Sequence, residues 1–158
     1  MVAQKPSLED VSKWHRWFAI EMNNLAWQHA EKPTRPPEEE EEMIHAAHAA
    51  ALHWMQDGKE VNRARADMLL GQAHALAGNG KLAMFYAQRS IAYFSASETK
   101  DWEMAFVHAV LANAARTAGT SSTYAEHFWL AERLGATIAD PEDREIFERT
   151  FHQIPSPA

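Results

Sequence analysis

Nine histidines are the residues of this chain best equipped for chemistry, and two carboxylate–imidazole spacings and one imidazole–imidazole spacing among them stand out. Glu42-Met-Ile-His45 is a Glu-x-x-His step. His45-Ala-Ala-His48 puts two imidazoles on one helical face, with Glu41 one turn below His45. A glutamate and a histidine at this spacing are one of the two copies of a motif that a four-helix protein uses to hold a pair of metal ions. The complete set repeats the motif and adds two further glutamates from partner helices. No second Glu-x-x-His occurs in the chain. A zinc or iron site therefore requires His74 or His108 to cross from neighbouring helices and join Glu41, Glu42, His45 and His48. The structural reading of the same residues is a set of partly buried histidines satisfied by backbone or by the acidic cluster, and it is the preferred one.

Other chemical motifs carry less. Gly78-Asn-Gly-Lys-Leu-Ala83 matches a loose dinucleotide fingerprint, which has meaning only between a strand and a helix. Here a helical pattern precedes it, so it reads as an inter-helix turn. There is no cysteine and no Gly-x-Ser-x-Gly elbow, and no serine or threonine stands in a recognisable catalytic context. The expectation is a protein that is not an enzyme and has no resident cofactor. The six tryptophans read first as core wedges, since aromatic side chains dominate core burial. Trp17 and Trp27 fall off the main stripe of their helix, and the alternative for them is an exposed patch for a partner or a second copy of the chain. Asp140/Arg144, Arg144/Glu148 and Glu145/Arg149, each four residues apart, read as surface ion pairs on the final helix.

The scaffold that positions these groups is bounded by composition. A chain of 158 residues suits one domain, and such a domain buries roughly 70% of its unfolded surface. The apolar fraction of 46% is ordinary, and with no cysteine the fold cannot depend on cross-links. The stretch Met1 to Asp10 shows no apolar core followed by a small-residue cleavage site, so no secretory leader is expected and a cytoplasmic location is the reading. The most apolar run, Ala46 to Trp54, is broken by His48 and His53 and is too short to span a bilayer. A formal charge of −7 and only a loose group of cations (Lys59, Arg63, Arg65) argue against nucleic acid as a partner.

Punctuation divides the chain into about seven helices. Ser7 with Asp10 forms a capping box for the first, whose stripe is Leu8, Val11, Trp14, Phe18, Met22 and Leu25. Lys32 to Pro37 ends it, because proline removes a donor and clashes with the preceding turn. The second carries Glu38 to Glu42 in its first turns, where the helix dipole favours acids, and stops at Asp57-Gly58. The third runs from about Lys59 to Ala77, with Ala64, Met68, Leu69, Ala73 and Leu76 facing inward. The fourth follows Gly78-Asn-Gly80, the fifth runs from about Asp101 to Ala118, and the sixth from near Ser121 to Gly135. Asp140-Pro141 caps the last, which reaches about Phe151. No strand-like alternation appears. The fold class is all-α, a single domain over residues 7–154, with hairpins at about 7–57, 59–96 and 100–135 and a capping helix at about 140–152.

Internal similarity adds to this. Leu70-Gly71 with Ala77-Gly78 recurs 41 residues later as Leu111-Ala112 with Ala118-Gly119, and Asn24-Leu25-Ala26 lies 45 residues before the first of these. The run Leu69-Leu-Gly-Gln-Ala-His-Ala-Leu-Ala-Gly-Asn-Gly-Lys-Leu-Ala83 resembles the tetratricopeptide repeat family. The likeness lies in Leu-Gly at mid first helix, Gly at the turn, and Ala where the second helix packs back. Small residues at 71, 83 and 87 would let the helix backbones approach closely. The likeness is strongest over Asp67 to Phe94, fair over Ala109 to Leu134, and weakest over Asn24 to Trp54. The spacing departs from the family period of about 34 residues. His74 and Ala115 occupy the family's tyrosine-like position, and no proline separates the fourth and fifth helices.

The resemblance implies a right-handed stack of hairpins in which each unit buries its face on its neighbours. It also implies a concave groove lined by the first helix of each pair, which binds a protein or peptide. Carried over position by position, the groove residues are Asn23 and Trp27, then Arg65 and Gln72, then Asn113 and Arg116. Amides and arginines suit the work, since they bond a peptide backbone or grip a carboxylate with a planar fork. The set lacks the lysine-rich pattern of the family's carboxylate-binding members. The overall expectation is a non-enzymatic protein- or peptide-binding module, with a helical metal- or small-ligand-binding protein as the alternative and a homodimer built on exposed aromatics as a third possibility.

Overall fold

A computed structural model describes residues 6–158, so half of the stretch read above for a leader, residues 1–5, lies outside the described residues. The described residues form seven helices and no strands: α1 (Leu8–Ala30), α2 (Pro37–Asp57), α3 (Glu60–Leu76), α4 (Gly80–Ser95), α5 (Asp101–Ala118), α6 (Ser121–Gly135) and α7 (Pro141–Phe151). Caps set most of the starts. The Ser7 hydroxyl accepts from the Asp10 amide ahead of α1, and Asn79 accepts from Leu82 ahead of α4. Asp140 accepts from the amides of Glu142 and Asp143, with Pro141 at the first helical position of α7. Gly78 and Gly119 close α3 and α5 at φ 75° and 76°, a region where a side chain is strained.

Cross-helix bonds fix the pairing. Ser12 reaches Asp57, His15 meets His53 and His29 meets Glu42, so α1 and α2 run antiparallel. In the next pair Ser90 donates to the Ala64 carbonyl, while Gly71 lies against Ala87. A Cβ on Gly71 would come within 3.1 Å of the Ala87 amide nitrogen, and Ala83 and Ala87 are buried. The small residues at 71, 83 and 87 therefore do bring the α3 and α4 backbones together. α5 and α6 form the third pair. α2 packs on α3 and α4 on α5, and α1, α3 and α5 touch in succession.

Two apolar clusters result. One joins Ala26, Met43, Ala47, Leu69, Leu70 and Ala73 across α1 to α3; the larger runs from Met68 through Phe94, Phe106, Val110 and Phe128 to Phe147 and Ile154. Much of the first is alanine, which keeps the helices close at little entropic cost.

The stripe expected along α1 is not its buried face. Of its residues Val11, Met22 and Leu25 are half-buried, whereas Leu8, Trp14 and Phe18 are 83%, 57% and 38% exposed; the buried residues are Ala19, Ala26, His29 and Ala30. The first half of α1 has α2 beside it and nothing beyond, because no hairpin precedes it among the described residues. Trp17 and Trp129 are also about half exposed, so those three tryptophans are not core wedges. No helix among the described residues is long and apolar enough to cross a membrane.

Candidate functional site

α7 decides what remains of the face formed by α1, α3 and α5. Its Phe147 lies edge-on to Phe106 of α5, with ring centroids 5.5 Å apart, and Phe151 packs on Phe128 of α6. Past its end, Gln153 donates to the Ala30 carbonyl at 3.1 Å, and Arg149 bridges to Glu31 at 3.3 Å. The last helix thus ties the third hairpin to the C-terminal end of α1. Of the ion pairs expected along α7, Glu145–Arg149 forms. Arg144 instead donates to the Ile138 carbonyl, satisfying an acceptor in the turn before its own helix.

Between α7 and the other three helices lies a cavity of about 300 Å³. α1 and its cap give it Asn23, Trp27 and Glu31, and α3 gives Arg65 and Met68. Trp102 and Phe106 come from α5, Asp143 and Ile146 from α7. The buried Phe106 ring is its floor. The indoles of Trp27 and Trp102 stand nearly perpendicular to that ring, at 78° and 87° with centroids 5.9 and 6.1 Å away.

One ion pair stiffens the wall. Arg65 Nε and Nη2 both reach Glu103 Oε1, at 2.7 and 2.6 Å, and the Arg65 guanidinium lies 5.5 Å from the centre of the Trp102 ring. Glu103 is only 4% exposed, and its other oxygen accepts from the Lys100 amide at the start of α5. A buried carboxylate needs that much compensation.

The expected groove residues divide. Asn23, Trp27 and Arg65 line the cavity together. Gln72 and Asn113 are 0% and 2% exposed, and Asn113 Nδ2 donates to Gln72 Oε1 at 3.1 Å. They form a buried amide contact between α3 and α5 and do not reach solvent. Arg116 leans on Asn113 Oδ1 and opens to a shallower depression shared with Arg35, Arg149 and Gln153. Glu31, Met68, Trp102, Phe106, Asp143 and Ile146 complete the lining and lie outside the groove positions that the resemblance implies. Only the 41-residue shift offered a signal, since it carries Arg65 to Phe106 and Val61 to Trp102 on equivalent turns.

The histidines also divide. His48 and His74 meet across α2 and α3 with their Nε2 atoms 3.0 Å apart, and Tyr86 stacks on His74. His108 instead meets His127 of α6, Nδ1 to Nδ1 at 2.7 Å. A third pair, His15–His53, joins α1 to α2 at 2.8 Å. Glu42 turns to His29 at 2.7 Å, while Glu41 and His45 stay on the exposed face, 3.7 Å from each other. Burial pushes His48, His53, His74 and His127 below the ordinary imidazole value, and brings His108 down to about 4. Uncharged imidazoles can share one N–H between two facing nitrogens. Among the described residues no three of His, Asp or Glu converge on a point where a metal ion could sit. No family model, curated protein or solved structure matches the chain.

Proposed function

We propose that the protein is a non-enzymatic, tetratricopeptide-like binding module, and that a protein or peptide partner seats one side chain in the cavity between α1, α3, α5 and α7. The carrying observation is the cavity itself. It is open to solvent, floored by Phe106, walled by Trp27 and Trp102, and rimmed by Asn23, Glu31 and Asp143. An apolar recess with a few polar groups at its edge is the usual form of a recognition pocket. Its volume suits a single large side chain. The repeat supports the stacked arrangement, since Gln72 and Asn113, separated by the same 41 residues as Leu70 and Leu111, pair directly with each other.

Peptides selected by display against the whole protein test this. Met68→Trp fills the recess and is expected to abolish binding of the selected peptides. Trp14→Ala and Trp17→Ala, on the exposed half of α1, should leave it intact. Peptides that ignore Met68→Trp and lose affinity with the α1 variants overturn the assignment.

A second reading, metal binding, draws on the 3.0 Å approach of His48 to His74. Two imidazoles leave at least two positions of a tetrahedral ion to water or ligand. Elemental analysis of untagged protein purified without chelator decides it: stoichiometric zinc or iron lost in His48→Ala supports the reading, and metal-free folded protein ends it.

A further inference from the structure

We infer that the side chain this cavity selects is a cation, the ammonium of lysine or the guanidinium of arginine in a basic peptide segment; the inference rests on the binding-module reading above. An apolar anchor would need only the floor and walls. Two features of the recess go beyond that need, and both favour positive charge.

The first is the aromatic enclosure. Phe106 closes the bottom, and the indoles of Trp27 and Trp102 rise nearly at right angles to it. The negative face of an indole attracts a cation within about 6 Å of the ring centre, more strongly where water is excluded. The protein already uses one such contact, with the Arg65 guanidinium 5.5 Å from the centre of Trp102. That internal cation does not close the site to another. Its charge is taken up by Glu103 at 2.6 Å, so the pair contributes no net charge to the recess.

The second feature is the rim. Glu31 stands at the C-terminal cap of α1 and lines the recess. Asp143 of α7 also borders the recess and makes no ion pair within 4.0 Å among the described residues. Arg149 pairs with Glu31 from outside and is shared with Glu145. Of the charged side chains that line the recess, Glu31 is paired with Arg149 and Arg65 with Glu103, which leaves the Asp143 carboxylate as the uncompensated charge. The chain as a whole carries −7, which draws basic partners toward it over the Debye length. A ligand cation would lie against the indoles with its charge turned toward Asp143. A neutral aliphatic chain of equal length would gain the first contact and forgo the second.

The experiment is NMR titration of the intact ¹⁵N-labelled protein with blocked pentapeptides carrying one central lysine, arginine, norleucine or citrulline in a glycine background. The Trp27 and Trp102 indole signals are assigned with Trp27→Phe and Trp102→Phe. Lysine and arginine peptides should shift both signals, with affinity about tenfold above their neutral counterparts. Asp143→Asn should erase much of that preference, and raising the salt should weaken lysine but not norleucine. Norleucine binding as tightly as lysine, or a lysine preference that survives Asp143→Asn unchanged, overturns the charge selectivity while leaving an apolar binding module. If no pentapeptide moves either indole and display-selected peptides also ignore Met68→Trp, both the selectivity and the binding site fall.

Discussion

Nδ1 of His108 lies 2.7 Å from Nδ1 of His127 across the α5–α6 contact, with the two rings stacked at 20°. At that separation one nitrogen must donate and the other accept. A second proton would set two imidazolium charges against each other in a partly buried place. Burial is the main reason that both groups sit below the ordinary imidazole value, His108 at about 4. The neighbouring charge of Glu126 opposes the shift of both, and Arg133 adds to that of His108.

Stability should therefore fall in mild acid. The unfolded chain takes up these protons near pH 6.5 and the folded chain only well below it, so the unfolded state binds more protons between those values. The stabilising term is complete above about pH 7 and is lost as pH falls from about 6.5 toward 4. Solvent reaches both rings, and with screening the loss carried by His108 is about 2 kcal/mol. Urea denaturation at pH 7.5 and pH 5.0 measures it, and the difference should shrink in His108→Gln. A wild-type protein equally stable at the two pH values contradicts the account.

Asn113 and Gln72 give the second prediction. Asn113→Ala leaves the Gln72 amide in the core without the partner it has at 3.1 Å, and Gln72 Nε2 already has no other. A cost of about 1–3 kcal/mol is expected. The double change Gln72→Met with Asn113→Leu removes both polar groups and should be milder than Asn113→Ala, a non-additivity that a double-mutant cycle reads directly. Arg116→Ala, on an exposed side chain, should shift stability by less than about 0.5 kcal/mol.

Arg65 serves the cavity wall through Glu103. Arg65→Ala strands a carboxylate that is 4% exposed. Breaking a fully buried pair costs about 3–5 kcal/mol, and because 35% of the Arg65 side chain meets solvent the expected loss here is about 2–3 kcal/mol. Glu103→Gln with Arg65→Met should recover part of it. Thermal melts of the three proteins provide the comparison.

The helices were readable because their ends are written in local chemistry. Ser7, the prolines at 36 and 37, Gly78, Gly119 and Asp140 each act within a few residues of themselves, and the boundaries they predict agree with the structure. Which faces are covered is a different kind of question. The stripe on α1 has a helical period, yet Trp14 and Phe18 stay exposed because burial depends on whether another element packs on that side, and none does among the described residues. The cavity was half visible for the same reason. Asn23, Trp27 and Arg65 follow from a repeat position, whereas Asp143 and Ile146 enter only because α7 folds back across the face. No local pattern encodes that return. It is set by Phe147 against Phe106 and by Gln153 against Ala30, contacts spanning 41 and 123 residues.

The turn between α3 and α4 separates two roles that glycine can play. Gly78 has φ 75° with nothing near its missing Cβ, so Gly78→Ala meets only the backbone cost of the left-handed region, about 1 kcal/mol. Gly80 has an ordinary φ, but a Cβ there would lie 2.6 Å from the Ala118 Cα and 2.7 Å from its nitrogen. Those are backbone atoms at the end of α5 and cannot rotate aside. Gly80→Ala must push the start of α4 away from α5, and overpacking of this kind costs about 1–3 kcal/mol. On helix propensity alone the same change would be favourable, since alanine is the better helix former. The sign of the measured difference therefore separates packing from propensity. Chemical denaturation should rank Gly80→Ala as the more damaging of the two, and a stabilised Gly80→Ala protein would mean that α4 and α5 do not approach as closely as the structure has them.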